Sequence, residues 1–240
     1  MEPNPHKNDI FIDNFLDSYM KYFNSLLLLF LAVIGTGCFE VVEEVILNDD
    51  GSGQITMTAN ISRSKTKLKS IMLMDSINNY KVPSEADIRE NMAKMVTEIK
   101  KIDGVKNVKH TMDFQEFIFS VTCDFRDVDV LNSVITHFST DSHKTEIENN
   151  KQFTYDPSSK LFTRNYHYNL AQEIKKVRQR DREVLEDASV TTIYRFESDI
   201  TSVANKDSRV AGNKKAVMLR IDVPDMISNK KNIKNSITLQ

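Results

Sequence analysis

A run of nine apolar residues, Leu26 to Ile34, leads into Gly35-Thr36-Gly37 and then Cys38. No other stretch limits the architecture of this chain as sharply. As a helix the run covers about 13.5 Å, less than half of the roughly 30 Å hydrocarbon core of a bilayer. It is too short to span a membrane, but it has the length and the small-residue exit of the apolar region of a secretory signal. A buried core helix is the alternative, and two features oppose it. The run has no polar face, and it ends in a triplet of small residues that would fray a helix. The sequence therefore predicts a removed leader over residues 1–37 and a mature chain over residues 38–240, folded as one domain or as two closely packed halves.

Residues 1–19 suit such a leader poorly, because Glu2, Asp9, Asp13 and Asp17 place acid where a signal carries base. Met20-Lys21-Tyr22-Phe23-Asn24-Ser25 and the apolar run would form a compact signal alone, so translation is expected to start at Met20. Over the whole chain, 32 Lys and Arg stand against 34 Asp and Glu. Residues 1–37 hold two of those bases and four of those acids, so residues 38–240 carry a formal charge of zero. No excess charge draws the mature chain to nucleic acid or to an anionic membrane.

The segment Ile34-Gly35-Thr36-Gly37-Cys38 resembles the lipobox of bacterial lipoproteins, with Gly35 where that pattern usually has Leu. The resemblance implies a thioether-linked lipid on Cys38, cleavage before it, and acylation of the new amino terminus. Two or three acyl chains hold a protein to a membrane without a transmembrane helix. The expected location is the exported side of a bacterial cell envelope.

Within residues 38–240, Glu40–Leu47 and Gln54–Ile61 are β-rich runs around Asn48-Asp49-Asp50-Gly51-Ser52-Gly53, the strongest hairpin signal present. The acids of that turn do not follow the twelve-residue spacing of a calcium loop, and they read as turn chemistry. Residues 64–76 suit a short helix bearing Leu68, Ile71, Met72 and Met74. A stronger one follows Pro83, started by Ser84-Glu85-Ala86-Asp87 and stopped by Gly104. Its apolar positions include Ile88, Met92, Met95, Val96, Ile99 and Ile102, and the methionines of both helices are expected in the core. Val105–Met112 and Glu116–Phe125 form a second hairpin, with Phe117, Phe119, Val121, Cys123 and Phe125 on one face. A thiol in that row is a small buried hydrophobe and not a nucleophile. Asp127 caps a further helix with Val128, Leu131, Val134, Ile135 and Phe138. A third hairpin spans residues 152–168, a helix spans Leu170–Asp187, and strands lie near 191–197, 216–223 and 233–239. On that last helix Lys175, Lys176, Arg178, Arg180 and Arg182 alternate with acids, which makes a solvated, ion-paired face. The expected fold class is α+β, an antiparallel sheet built from hairpins with helices packed on one face.

Cys38, the words Val45–Gly53, and the tail segments 191–196, 200–205 and 217–219 together resemble uncharacterised lipoproteins of the Bacteroidota type, and more distantly LppM-like lipoproteins. That resemblance implies an envelope location and an α+β fold, and no activity. The residues themselves contain no nucleophile elbow, phosphate-binding Gly-rich loop or His-Glu-x-x-His motif. His137 and His143, with Asp141 between, have poor ligand spacing for one helix face. Glu43 and Glu44 are adjacent and, on a strand, face opposite ways. No cofactor, metal or catalytic residue is assigned, and Cys38 is the single functional residue, as the lipid-attachment site. The expected function is a lipid-anchored, non-catalytic interaction or ligand-binding module whose partner is an envelope protein. The Met- and Phe-rich faces motivate an alternative, a carrier of a small apolar ligand or lipid. An unrecognised hydrolase is a third reading.

Overall fold

The structure, a computed structural model, describes residues 39–77, 80–138, 150–167, 170–176, 179, 182 and 185–240. The leader, Met20 and Cys38 lie outside these residues, as do Asp141 and His143. Thirteen strands and five short helices are described, an α+β composition. The strands are β1 (Glu40–Leu47), β2 (Gly53–Asn60), β3 (Ser76–Ile77), β4 (Tyr80–Lys81), β5 (Val105–Asp113), β6 (Ile118–Phe125) and β7 (Phe153–Asp156). They continue with β8 (Leu161–Arg164), β9 (Ser189–Phe196), β10 (Ile200–Val203), β11 (Arg209–Val210), β12 (Ala216–Asp222) and β13 (Asn235–Leu239). The helices are α1 (Lys65–Ile71), α2 (Glu85–Lys100), α3 (Val128–His137), α4 (Leu170–Lys176) and α5 (Val223–Ile227).

Local chemistry sets the hairpins and helix starts. In the β1–β2 turn the Gly51 N–H donates to the Asn48 carbonyl, and Gly51 takes the positive φ (86°) that such a turn requires. The Asp50 carboxylate accepts from the Ser52 N–H and hydroxyl. At α2 the Ser84 hydroxyl accepts from the Asp87 N–H, and the Asp87 carboxylate accepts from the Ser84 N–H, a complete capping box. Asp127 caps α3 by accepting from the Val130 N–H at 2.9 Å.

Hairpin signals account for only part of the sheet. Seven strands pair in the order β11-β12-β9-β1-β2-β6-β5, and four more form a second sheet, β10-β13-β8-β7. Strand β1 pairs with β2 antiparallel, but its other edge takes β9 in parallel, Glu40 opposite Ser189 through Leu47 opposite Phe196. The expected wholly antiparallel sheet is corrected at this pair. A turn dictates only the partner next in sequence, and the free edge of β1 is filled by a β-branched strand from far along the chain.

Positions 43, 45 and 47 of β1 share a face with 55 of β2, 121, 123 and 125 of β6, 194 and 196 of β9, and 217 of β12. Their buried apolar members form one core cluster with Val96 and Ile99 of α2, with Val128, Val130, Leu131, Val134 and Ile135 of α3, and with Phe153, Phe162, Ile200, Ile237 and Leu239 of the second sheet. The layer over this face is therefore shared between helices and a sheet. Phe162 lies 5.2 Å from Tyr194 and 5.4 Å from Phe196, ring centre to ring centre, and joins the two sheets. A smaller cluster holds Leu219, Ile221, Met226 and Ile233, with Tyr166, Leu170 and Val190 against it.

Two expectations change further. The helix expected over 64–76 is α1, Lys65–Ile71, and it buries no residue. Met92 and Met95 of α2 do pack against the core, but Met74 is exposed. The helix expected over Leu170–Asp187 is described as α4, Leu170–Lys176, while Val177, Arg178, Arg180, Asp181, Glu183 and Val184 lie outside the described residues.

Candidate functional site

Cys38, the predicted lipid-attachment residue, precedes the described residues directly. The chain enters them at Phe39, whose carbonyl accepts from the Ser189 N–H at 3.0 Å, and β1 starts at the next residue. The register places the start of β1, the end of β2, the start of β9 and the end of β12 at one end of the large sheet. The β1–β2 turn, the N-terminus of α3 and Glu197 mark the opposite end.

A buried polar network lies midway, and the sequence reading missed it. Glu43 and Arg164 are both buried, at 4% and 6% exposure. The Arg164 guanidinium donates twice to the Glu43 carboxylate, Nε to Oε1 at 3.0 Å and Nη2 to Oε2 at 2.9 Å. Its Nη1 donates to Gln152 Oε1 and to the Asn165 carbonyl, and its face lies 4.6 Å from the Phe153 ring centre. Tyr194 completes the set by donating its hydroxyl to Glu43 Oε1 at 2.6 Å. Burial, and then the Glu43 charge, push the Tyr194 hydroxyl well above its ordinary pKa and keep it a neutral donor. Burial opposes the Arg164 charge, but Glu43 and Tyr194 outweigh it and leave the guanidinium pKa raised. These hydrogen bonds all run between groups inside the protein, and they pin β1 and β9 of one sheet to β8 of the other. A sequence signal existed: Glu43 is in phase with Val45 and Leu47, and Arg164 with Phe162, each a charge on an otherwise buried face.

Glu44, one residue on, faces the other way and pairs with Arg195 at 2.6 Å. That open face is a polar lattice. Thr56 bonds Thr122, Thr111 bonds Ser120, and Gln54 donates to Asp124. The Asn107 amide, then that of Gln54, hold the Asp124 carboxyl below its usual range.

At the end of the sheet away from Phe39, a cleft of about 290 Å³ is lined by Asp50, Gly51, Asp127, Asp129, Lys151 and Tyr155, among others. Its acids are already engaged. Asp50 serves its turn, Asp127 caps α3, and Asp129 pairs with Lys151 at 2.7 Å. Among the described residues no group of three or more His, Cys, Asp or Glu is placed to hold a metal ion.

The remaining candidates take structural places. Cys123 is 1% exposed, and burial, aided by the Asp124 charge, pushes its thiol up to about 11. His137 bonds the Ser133 carbonyl through Nδ1 at 2.9 Å. The Phe-rich faces pack against core neighbours, as Phe125 does beside Cys123 and Val121. Among the described residues no helix is long and apolar enough to cross a membrane.

No family model and no curated protein matches the chain. Among solved structures, the NMR structure of the folded domain of LppM from Mycobacterium tuberculosis is similar over 84% of this chain and 91% of its own. The identity is 10% and the TM-score 0.37, a weak likeness that carries no argument about function.

Proposed function

We propose that this chain is a lipid-anchored protein of the bacterial cell envelope, held by acyl chains on Cys38 and acting as a non-catalytic interaction module. The observation that carries this reading is the junction at Cys38. An apolar run too short to span a bilayer leads through Gly35-Thr36-Gly37 to the cysteine, and the first strand of the large sheet begins two residues later. Affiliation with Bacteroidota-type lipoproteins belongs to the same reading and rests on Cys38, the segment Val45–Gly53 and the tail segments 191–196, 200–205 and 217–219. The anchor would leave the acidic-walled cleft beside the β1–β2 turn facing away from the membrane and available to a partner. Phe125, Phe153, Phe162 and Phe196 lie in the core cluster and Met92 and Met95 pack against it, which favours the interaction module over an apolar-ligand carrier.

Metabolic labelling of the full-length protein with a fatty acid tests the anchor. Label is expected on the wild type and absent from Cys38→Ala. Label kept by Cys38→Ala would overturn the reading.

A further inference from the structure

Between β2 and α2 the chain makes an excursion, residues 61–84, that adds nothing to the core. Both of its stems are fixed at the end of the large sheet where the chain enters. At the outgoing stem the Ile61 N–H donates to the Phe117 carbonyl, and Lys65 pairs with Glu116 at 2.8 Å. Arg63 shares a small hollow with Phe39, Glu40 and Ser189. At the returning stem, Arg89 of α2 lies 4.5 Å from the centre of the Phe114 ring, in the turn that joins β5 to β6.

The excursion shows large apolar side chains to solvent. Leu73 is 89% exposed, Met74 51%, Tyr80 57% and Ile77 38%. These are four of the eight large hydrophobics exposed among the described residues, gathered within eight positions. Scattered exposed leucines need no explanation, but a local group rimmed by charge marks a contact surface. The rim is basic. Within residues 61–84, Arg63, Lys65, Lys67, Lys69 and Lys81 stand against one acid, Asp75, in a mature chain that is neutral overall; Lys65 pairs with Glu116 and Lys81 with Asp87.

We propose that this excursion is a second membrane contact, in which Leu73, Met74, Ile77 and Tyr80 enter the headgroup–acyl boundary of the bilayer and the lysines around them meet lipid phosphates. The proposal rests on the Cys38 reading for its geometry. Two Cα–Cα steps separate Cys38 from Glu40, so β1 begins within about 7 Å of the acylated residue whatever the conformation between them. A tether that short holds this end of the sheet on the bilayer and brings the excursion with it. Apolar groups of this kind bury about 5–10 Å into the interface, and lysine stems lie along it with their ammonium groups at the phosphates. A protein partner or a second copy would also cover the patch, but neither explains why it lies at the anchored end.

The chain contains no tryptophan, so Leu73→Trp creates a single fluorescent reporter at an open position. The processed protein is purified from membranes and placed in phosphatidylethanolamine–phosphatidylglycerol vesicles with and without bromine on the acyl chains. The mass of its N-terminal peptide reports acylation of Cys38. The expected result is an acylated terminus, blue-shifted emission and loss of most of that emission to bromolipid. Val210→Trp, an exposed site toward the other end of the sheet, should emit as in water and resist quenching. Met74→Trp repeats the measurement at a second site. An acylated Leu73→Trp protein whose emission is water-like and unquenched overturns the membrane contact and leaves the anchor standing. Blue-shifted emission without quenching assigns the patch to a contact within the chain or with a second copy and also overturns it. Quenching without acylation supports a bilayer contact and overturns the anchor. Neither quenching nor acylation overturns both.

Discussion

Glu43 and Glu44 are neighbours on one strand with opposite fates, and the two faces of the large sheet differ as these two residues do. On the core face Glu43 is held by Arg164 and Tyr194, out of contact with water. On the open face Glu44 meets Arg195, whose side chain is half exposed. Both are carboxylate–arginine pairs of similar length. Desolvation separates them, because a buried charge that loses its partner stays buried, while an exposed one is taken up by solvent.

The largest expected effect follows directly. Arg164→Leu should lower the unfolding free energy by about 3–5 kcal/mol, measured by urea denaturation, because it strands the Glu43 charge in the core. The double variant Glu43→Leu/Arg164→Leu should recover part of that loss, since the pair is removed together and only neutral groups lose partners. A double variant no more stable than Arg164→Leu would show that packing around Phe153, and not an isolated charge, sets the cost.

On the other face, Arg195→Leu should cost no more than about 1 kcal/mol in the same assay. A loss near that of Arg164→Leu would break the distinction between the faces. The smallest effect concerns acid. The folded-state pKa of Asp124 is depressed by Asn107 and Gln54, so its contribution is present above the unfolded pKa, about 3.9, and fades as pH falls through the folded value. Asp124→Asn should therefore lower stability slightly at pH 7, where that contribution is fully present, and flatten the fall of the stability curve below about pH 4. An acid limb identical to that of the wild type would assign the dependence to other carboxylates.

The sequence carried the local half of this architecture. The Asn48–Gly53 turn, the Ser84–Asp87 box and the Asp127 cap each state their chemistry within a few residues, and the structure places a turn or helix start at each. The phenylalanine row of β6 likewise put Cys123 in the core. What could not be read was pairing at a distance. Arg164 is 121 positions from Glu43, and neither residue names the other. Period-two alternation puts both in phase with buried neighbours, an unread signal worth weighing in other strands. Methionines were assigned to the core by type, which holds for Met92 and Met95 of α2 and fails at Met74, where no element covers the chain.

The parallel pairing of β1 with β9 also sets an order of events. As the chain emerges N-terminus first, β1 can fold against β2 almost at once, but about 140 further residues separate Leu47 from Ser189. Through that interval one side of an apolar strand offers unpaired amides and carbonyls, the template on which chains join one another wrongly. The strand nearest the proposed anchor is therefore among the first to form and among the last to be closed. An emerging chain of this protein has most need of a holding factor before its final quarter is free to pair.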